Sequence, residues 1–383
     1  MSAYVPGEQP AGAARVVKLN QNENPYPPSP KAMAVLREFD GGALRLYPDP
    51  MATAFCRVAG EVVGAPADWI CVGDGSDDLI TMIARAAACR GRPIVAPEPT
   101  FPYYLTQAQV EDAEYVGVPC NEDFGLPIDK LAAVDGAVTF LASPNSPTGA
   151  AATPDRISWL AGKLRGLLVV DEAYADFAGN NAASLVRRHE NLVVMRTLSK
   201  GYSLAALRLG FAIASPAVKQ ALLKTKAIYN VGALPAAVGA AAMADQDYHN
   251  DCVRKILAER ARLADELPRR GFRVWPSEGN FLMVTVPACG TAAAFEAGLK
   301  ARNVLVRYFS KQPMADKLRI SVGTPEEDTI LLAEIDAVSS QFTRGESGNA
   351  GDSAARGLAR SVETPLSKQG KKRRRNGQSP KGS

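Results

Sequence analysis

A chain of 383 residues, 46% hydrophobic and 22% charged, has the composition of a globular protein large enough for two or three domains with a sizeable core. No apolar run approaches the ~20 residues of a membrane span, and Met1 to Pro10 shows no basic stretch leading into an apolar one, so no membrane partner is expected and a cytoplasmic location is. The net charge of +4 belongs to the end of the chain: residues 341–383 hold ten Lys/Arg and three Asp/Glu, leaving 34 against 37 over residues 1–340.

Six cysteines without a CxxC pair signal neither a zinc site nor a disulfide framework, and are expected to be mostly buried thiols. The two histidines, His189 and His249, lie in polar, helix-like stretches and read as surface residues. A histidine-dependent triad and a multi-histidine metal site are thereby excluded as expectations.

Residues 1–45 read as a flexible arm and a proline-rich extended segment, Leu19 to Pro30, followed by a short helix from Lys31 to Phe39. After the turn Arg45 to Pro50, a helix is expected over Met51 to Val63. From Trp69 short apolar strands alternate with helices: Trp69 to Val72, Ile94 to Ala96, Tyr115 to Val118, Val138 to Ala142, Leu167 to Val170, Leu192 to Met195 and Phe211 to Ala214. Ser76 is expected to cap the helix after the first strand, and Thr153-Pro154 to start another. The pattern predicts an α/β domain over 46–244 with a mostly parallel sheet flanked by helices. Past an alanine-rich helix and a long helix closed by Gly271, strands and helices mix, which predicts a smaller α+β domain over 245–341. Residues 342–383 are poor in large apolar side chains, end in a Lys/Arg run at 371–375, and are expected to stay disordered. That run lacks aromatics for base stacking, so nucleic-acid binding is not expected of it.

Polar motifs fall just after the predicted strands, where parallel sheets place ligands. Gly73 to Asp78 offers glycines and a helix N-terminus to a phosphate, although a plain strand-to-helix turn would look similar. Asp171 ends an apolar strand and needs a partner if buried; a protonated pyridine nitrogen would serve, and so would a capped turn. Tyr174 lies three residues on. Lys200, between Ser199 and Gly201 in an apolar and hydroxylic stretch, suits Schiff-base chemistry, since a desolvated lysine has a lowered pKa. Thr197, Ser199 and Arg208 lie close enough in sequence to clasp a phosphate beside it.

These segments, with LNQNENP at 19–25, PTFPYY at 99–104, SPNSPTG at 143–149, VRYF at 306–309 and LRISVGT at 318–324, resemble the class I and II aminotransferases of fold type I, and within them the histidinol-phosphate branch. The resemblance covers about residues 19–335 and implies the cofactor pyridoxal 5'-phosphate. It implies that Lys200 binds the cofactor and moves the proton, that Asp171 pairs with the ring nitrogen, and that Tyr174 contacts the ring oxygen. Phe101 would stack on the ring, while Gly75, Ser76, Asp77, Thr197, Ser199 and Arg208 would hold the phosphate. Tyr47 would reach the cofactor of a neighbouring subunit, implying a homodimer. Arg319, Arg307 and Asn24 would bind substrate.

One departure stands out: Ser146 takes the place of the asparagine expected at the ring oxygen, so either it or Asn145 makes that contact, with Asn145 favoured for its longer reach. Transfer between L-histidinol phosphate and 2-oxoglutarate is the activity expected. An aromatic amino acid aminotransferase is the alternative, and a non-catalytic nucleic-acid-associated protein using the basic tail is the competing class.

Overall fold

The structure is a computed structural model and describes residues 8–10, 16–89 and 91–355, the last thirteen of these as backbone only. Residues through Ser340 form one compact unit and those from Gln341 a second.

A seven-stranded sheet dominates the first unit. Across it the strands run Ile70–Asp74, Leu209–Ala214, Leu192–Thr197, Leu167–Asp171, Val138–Ala142, Ile94–Glu98 and Tyr115–Pro119. All pairings are parallel except those of Leu209–Ala214, which runs against both neighbours. Both faces are covered. Alternate residues of one strand enter different cores: Val169 packs with Leu79, Ile83 and Phe140, whereas Leu168 and Val170 pack with Phe55, Leu160 and Phe211. This two-sided burial explains why the strands read as continuous apolar runs. The fold is the fold-type I transferase fold that the sequence predicts.

A second, antiparallel sheet orders Arg307–Tyr308, Lys317–Ser321, Phe281–Thr285 and Arg273–Val274. The N-terminal pair Val17–Lys18 runs parallel to Val304–Leu305, which tethers the extended segment at its start.

Local differences from expectation have simple causes. The helix after the first strand begins at Gly75 with Asp74 as N-cap, so Ser76 lies in the first turn and does not cap it. The Thr153 hydroxyl does cap its helix, accepting from Arg156 N–H. His249 is buried, not on the surface, stacked on Tyr202 at 4.2 Å with Asp176 beside it. Of the cysteines, Cys56, Cys71 and Cys252 are buried and Cys89 is exposed. The helix from Pro325 continues to Ala355, past the expected start of disorder; the charge run at 371–375 lies outside the described residues. Among the described residues no helix is long and apolar enough to cross a membrane.

Candidate active site

Sheet topology explains how residues distant in sequence meet. Parallel strands bring their carboxyl ends to one edge, where Asp171 ends one strand and Ser199 and Lys200 follow another. The reversed strand Leu209–Ala214 brings its start to that same edge: Gly210 stands opposite both Gly73 and Thr197. The chain therefore leaves the edge at Thr197, loops through Lys200, and returns with Arg208.

That return demands close approach. Arg208 takes a left-handed backbone (φ 54°) and Gly75 has φ 74°. The positive φ favours glycine at 75, and a Cβ there would lie 2.3 Å from Arg208 Nη2 and push the guanidinium aside. Arg208 reaches Asp77 Oδ2 at 3.2 Å and the Ser199 hydroxyl at 3.5 Å, and Thr197 donates to Ser199 Oγ at 3.0 Å. Guanidinium, hydroxyls and the first-turn N–H groups of a 13-residue helix are thus gathered around one point.

A cavity of about 920 Å³ opens here. Ser76, Asp77, Thr197, Ser199 and Arg208 line one end, and Asp171, Tyr174, Lys200 and Phe101 the middle. Asp171 is only 5% exposed; its Oδ2 accepts from Tyr104 Oη at 2.7 Å and its Oδ1 from Ala173 N–H at 3.1 Å. Burial pushes its carboxyl up to about 6, with the two hydrogen bonds opposing. Lys200 Nζ donates to the Gln21 carbonyl at 2.9 Å, and burial lowers its pKa against the pull of Tyr174. Burial raises the Tyr174 phenol, but Lys200 and Arg319 outweigh it and the net shift is downward. An acid held up, an amine held down and a phenol held down within one cavity mark a reaction site.

The far end carries Arg307 and Arg319. They stand directly opposite each other on neighbouring antiparallel strands, both within 6 Å of the Phe309 ring. Like charges in opposed positions oppose pairing, an arrangement suited to an anion that bridges them. Lys311 lines this end too, a residue that sequence reasoning missed.

Two predicted residues stand elsewhere. Asn145, the favoured ring contact, is fully buried and committed: its Oδ1 accepts from Thr100 at 2.6 Å, and its Nδ2 donates to the Pro99 carbonyl and to Thr148, each at 2.9 Å. Ser146 lines the cavity instead, accepting from Arg319 Nη1 at 2.9 Å. Asn24 is a strut, donating to the carbonyls of Lys200 and Gly201 at 3.1 and 3.0 Å, and it does not line the cavity. Tyr47, expected at a neighbouring subunit's cofactor, is 81% exposed and stacked on Tyr229 at 4.5 Å. Missed from sequence were Tyr104 on Asp171 and Asn22, whose amide donates to Tyr174 Oη at 3.0 Å. The adjacency of Tyr104 to Phe101 in PTFPYY was the only signal for it.

The donor set fits pyridoxal phosphate. A buried acid suits a ring nitrogen, a lysine whose pKa burial lowers suits an aldehyde, and the Gly75–Arg208 cradle suits a phosphate.

The family model for aminotransferase class I and II matches residues 14–335, and the chain belongs to that family. Among named relatives it is 48% identical over 332 residues to histidinol-phosphate aminotransferase 1 of Trichormus variabilis, spanning 87% of this chain and 95% of that one. It is 43% identical to the histidinol-phosphate aminotransferase of Geotalea uraniireducens, over 85% of this chain and 94% of the other. A solved structure of histidinol-phosphate aminotransferase from Sinorhizobium meliloti, in complex with pyridoxal-5'-phosphate, superposes with a TM-score of 0.79 at 26% identity, covering 86% and 92% of the two chains.

Proposed function

We propose that this aminotransferase carries an amino group from L-histidinol phosphate to 2-oxoglutarate in histidine biosynthesis, with pyridoxal phosphate bound at the strand edge. The observation that carries the substrate reading is the opposed pair Arg307 and Arg319 at the end of the cavity that holds Lys200 and Asp171. Two guanidinium groups offer the bidentate contacts that a phosphate ester accepts from more than one side. The names of the relatives agree with this choice.

When bound, pyridoxal phosphate supplies an electron sink that makes the substrate Cα–H acidic. The residues do the rest. Asp171 would pair with the ring nitrogen, Phe101 would lie against the ring, and Gly75, Ser76, Asp77, Thr197, Ser199 and Arg208 would hold the phosphate. Lys200 Nζ, whose pKa burial lowers, would take the proton from the substrate Cα and pass it to the cofactor's C4′ carbon, and would run the same transfer in reverse during the second half-reaction. Tyr174 and Ser146 would hold the ring oxygen, and Ser146, hydrogen-bonded to Tyr174, also accepts from Arg319. Asn24 fixes the backbone from which Lys200 projects.

The reading includes a homodimer in the cytoplasm. Tyr47, Leu44, Leu46, Ile228 and Tyr229 place large apolar side chains on the surface, as a contact with a second copy would require. The parts 1–45, 46–244, 245–341 and 342–383 remain its proposed divisions.

A panel of amino donors mixed with the cofactor-loaded enzyme, read by spectral conversion of the cofactor, tests the assignment. Histidinol phosphate is expected to convert fastest. Equal or faster conversion by phenylalanine would replace it with the aromatic alternative, in which Arg319 binds an α-carboxylate.

A further inference from the structure

The geometry points to Tyr104 as a positioning residue that acts through Asp171: its hydroxyl fixes the orientation of that carboxylate and holds it ionised for the cofactor's ring nitrogen. The inference rests on the pyridoxal-phosphate reading above. Tyr104 sits in the first turn of the Tyr103–Val110 helix, and its side chain is fully buried. Its ring stacks on Phe140 with centroids 4.7 Å apart and planes 6° apart, and meets Phe101 edge-on at 5.7 Å. Packed on two sides, the phenol has one direction in which to point, and there its Oη lies 2.7 Å from Asp171 Oδ2.

The second oxygen of Asp171 accepts from Ala173 N–H at 3.1 Å. With one donor on each oxygen the carboxylate cannot rotate without losing both bonds, and each oxygen keeps acceptor capacity for a further partner at the cavity wall. Two acidic groups facing this pair press the other way. Asp77, from the helix begun at Gly75, and Glu172, next in the chain, both favour the neutral acid. Tyr174 and Tyr115 face Tyr104 and raise its pKa further. Tyr104 itself is a dependable donor, because burial and then the adjacent Asp171 push its pKa well above the ordinary 10.0. The two hydrogen bonds are therefore what opposes protonation of Asp171 before the ring nitrogen arrives.

Tyr104→Phe keeps the stacked ring and removes one O–H. In the loaded enzyme this variant is expected to bind pyridoxal phosphate about tenfold more weakly, the loss of one hydrogen bond to a charged acceptor. The pH midpoint of the bound cofactor's visible absorption is expected to move upward, because a ring nitrogen held less firmly in its protonated form leaves the lysine–cofactor linkage more basic. A second readout uses the cofactor-free chain. Asp171 titrates at 3.8 unfolded and at about 6 folded, so folding stability falls as pH rises through that interval. Loss of the donor extends the interval upward, and the stability deficit of Tyr104→Phe should grow as pH rises through and above about 6.

Asp171→Asn closes the cycle: in that background Tyr104→Phe should carry no pH-dependent deficit. Phe140→Leu, which loosens the packing and keeps the hydroxyl, should cost the same stability at every pH and leave the absorption midpoint in place. Unchanged affinity and midpoint in Tyr104→Phe, or a deficit that persists in the Asn background, would overturn the positioning role. If the wild-type chain developed no absorption band with pyridoxal phosphate, the cofactor reading would fail instead, while the cofactor-free cycle would still decide the coupling of Tyr104 to Asp171.

Discussion

The cavity has two arginine-lined corners, and they are built differently. The corner around Arg208 rests on strand ends, a positive-φ glycine and a helix N-terminus, all fixed by a seven-stranded sheet buried on both faces. The corner around Arg307 and Arg319 rests on two long side chains, one of them on the edge strand of a four-stranded sheet. The first is backbone-made and has little room for change; the second is side-chain-made and can be altered without disturbing the sheet that holds the first. A fold that keeps its cofactor grip in one region and its substrate grip in the other can vary the second while conserving the first.

The largest effect should come from removing what the corners serve. Lys200→Ala leaves both intact, yet transamination should fall by on the order of 10³-fold or more, and borohydride should trap no labelled cofactor on the variant. Label still attached in that variant would place the cofactor linkage elsewhere. Gly75→Ala attacks the rigid corner through positive φ and collision with Arg208, a strain of about 1–3 kcal/mol, and should appear as weaker cofactor retention on gel filtration. Arg319→Lys and Arg307→Lys attack the adaptable corner: each should lower kcat/KM for histidinol phosphate by roughly 10- to 100-fold with cofactor affinity unchanged. If either Arg→Lys change released cofactor, the separation of the two corners would not hold.

A pH series sharpens the contrast further. Because burial lowers the Lys200 pKa from 10.5, capture of pyridoxal phosphate by the cofactor-free chain should rise with pH and level off below that value. The same shift means that the unfolded chain binds the extra proton, so this lysine's burial costs stability as pH falls through the interval between the two values. The smallest change is expected from Ser146→Asn, which restores the amide of the family pattern between Tyr174 and Arg319. A shift of a few fold in KM, about 0.5–1.5 kcal/mol, would register the altered hydrogen bond.

How far the sequence reached follows from where each signal lay. The sheet and its edge were legible because every strand is buried on both faces and its polar residues cluster just beyond its end, as at Asp171 and Lys200. The choice between Asn145 and Ser146 was not, because the turn's orientation is set by Pro99 and Thr100 from another strand's loop. Asn24 carries a polar side chain in a cavity-adjacent segment, and nothing local shows that its amide faces the main chain of residues 200 and 201. His249 looked solvated from its polar neighbours, but one face of its helix packs on Tyr202 and Asp176. Tyr104 and Asp171 are 67 residues apart, a pairing that only the packed helix creates.

The opposed placement of Arg307 and Arg319 also works as a reading frame. Side chains on a strand alternate faces, so a slip of one residue between these strands would turn one guanidinium out of the cavity while leaving every backbone hydrogen bond replaceable. The connector 309–316 is where such a slip would start, and the Lys317 ammonium pins it by donating to the Pro313 carbonyl at 3.1 Å. If Arg307 and Arg319 bind the donor as proposed, donor choice rests on the anchoring of one short connector, and lengthening it by a single residue should change which donors are accepted before it changes how the cofactor is held.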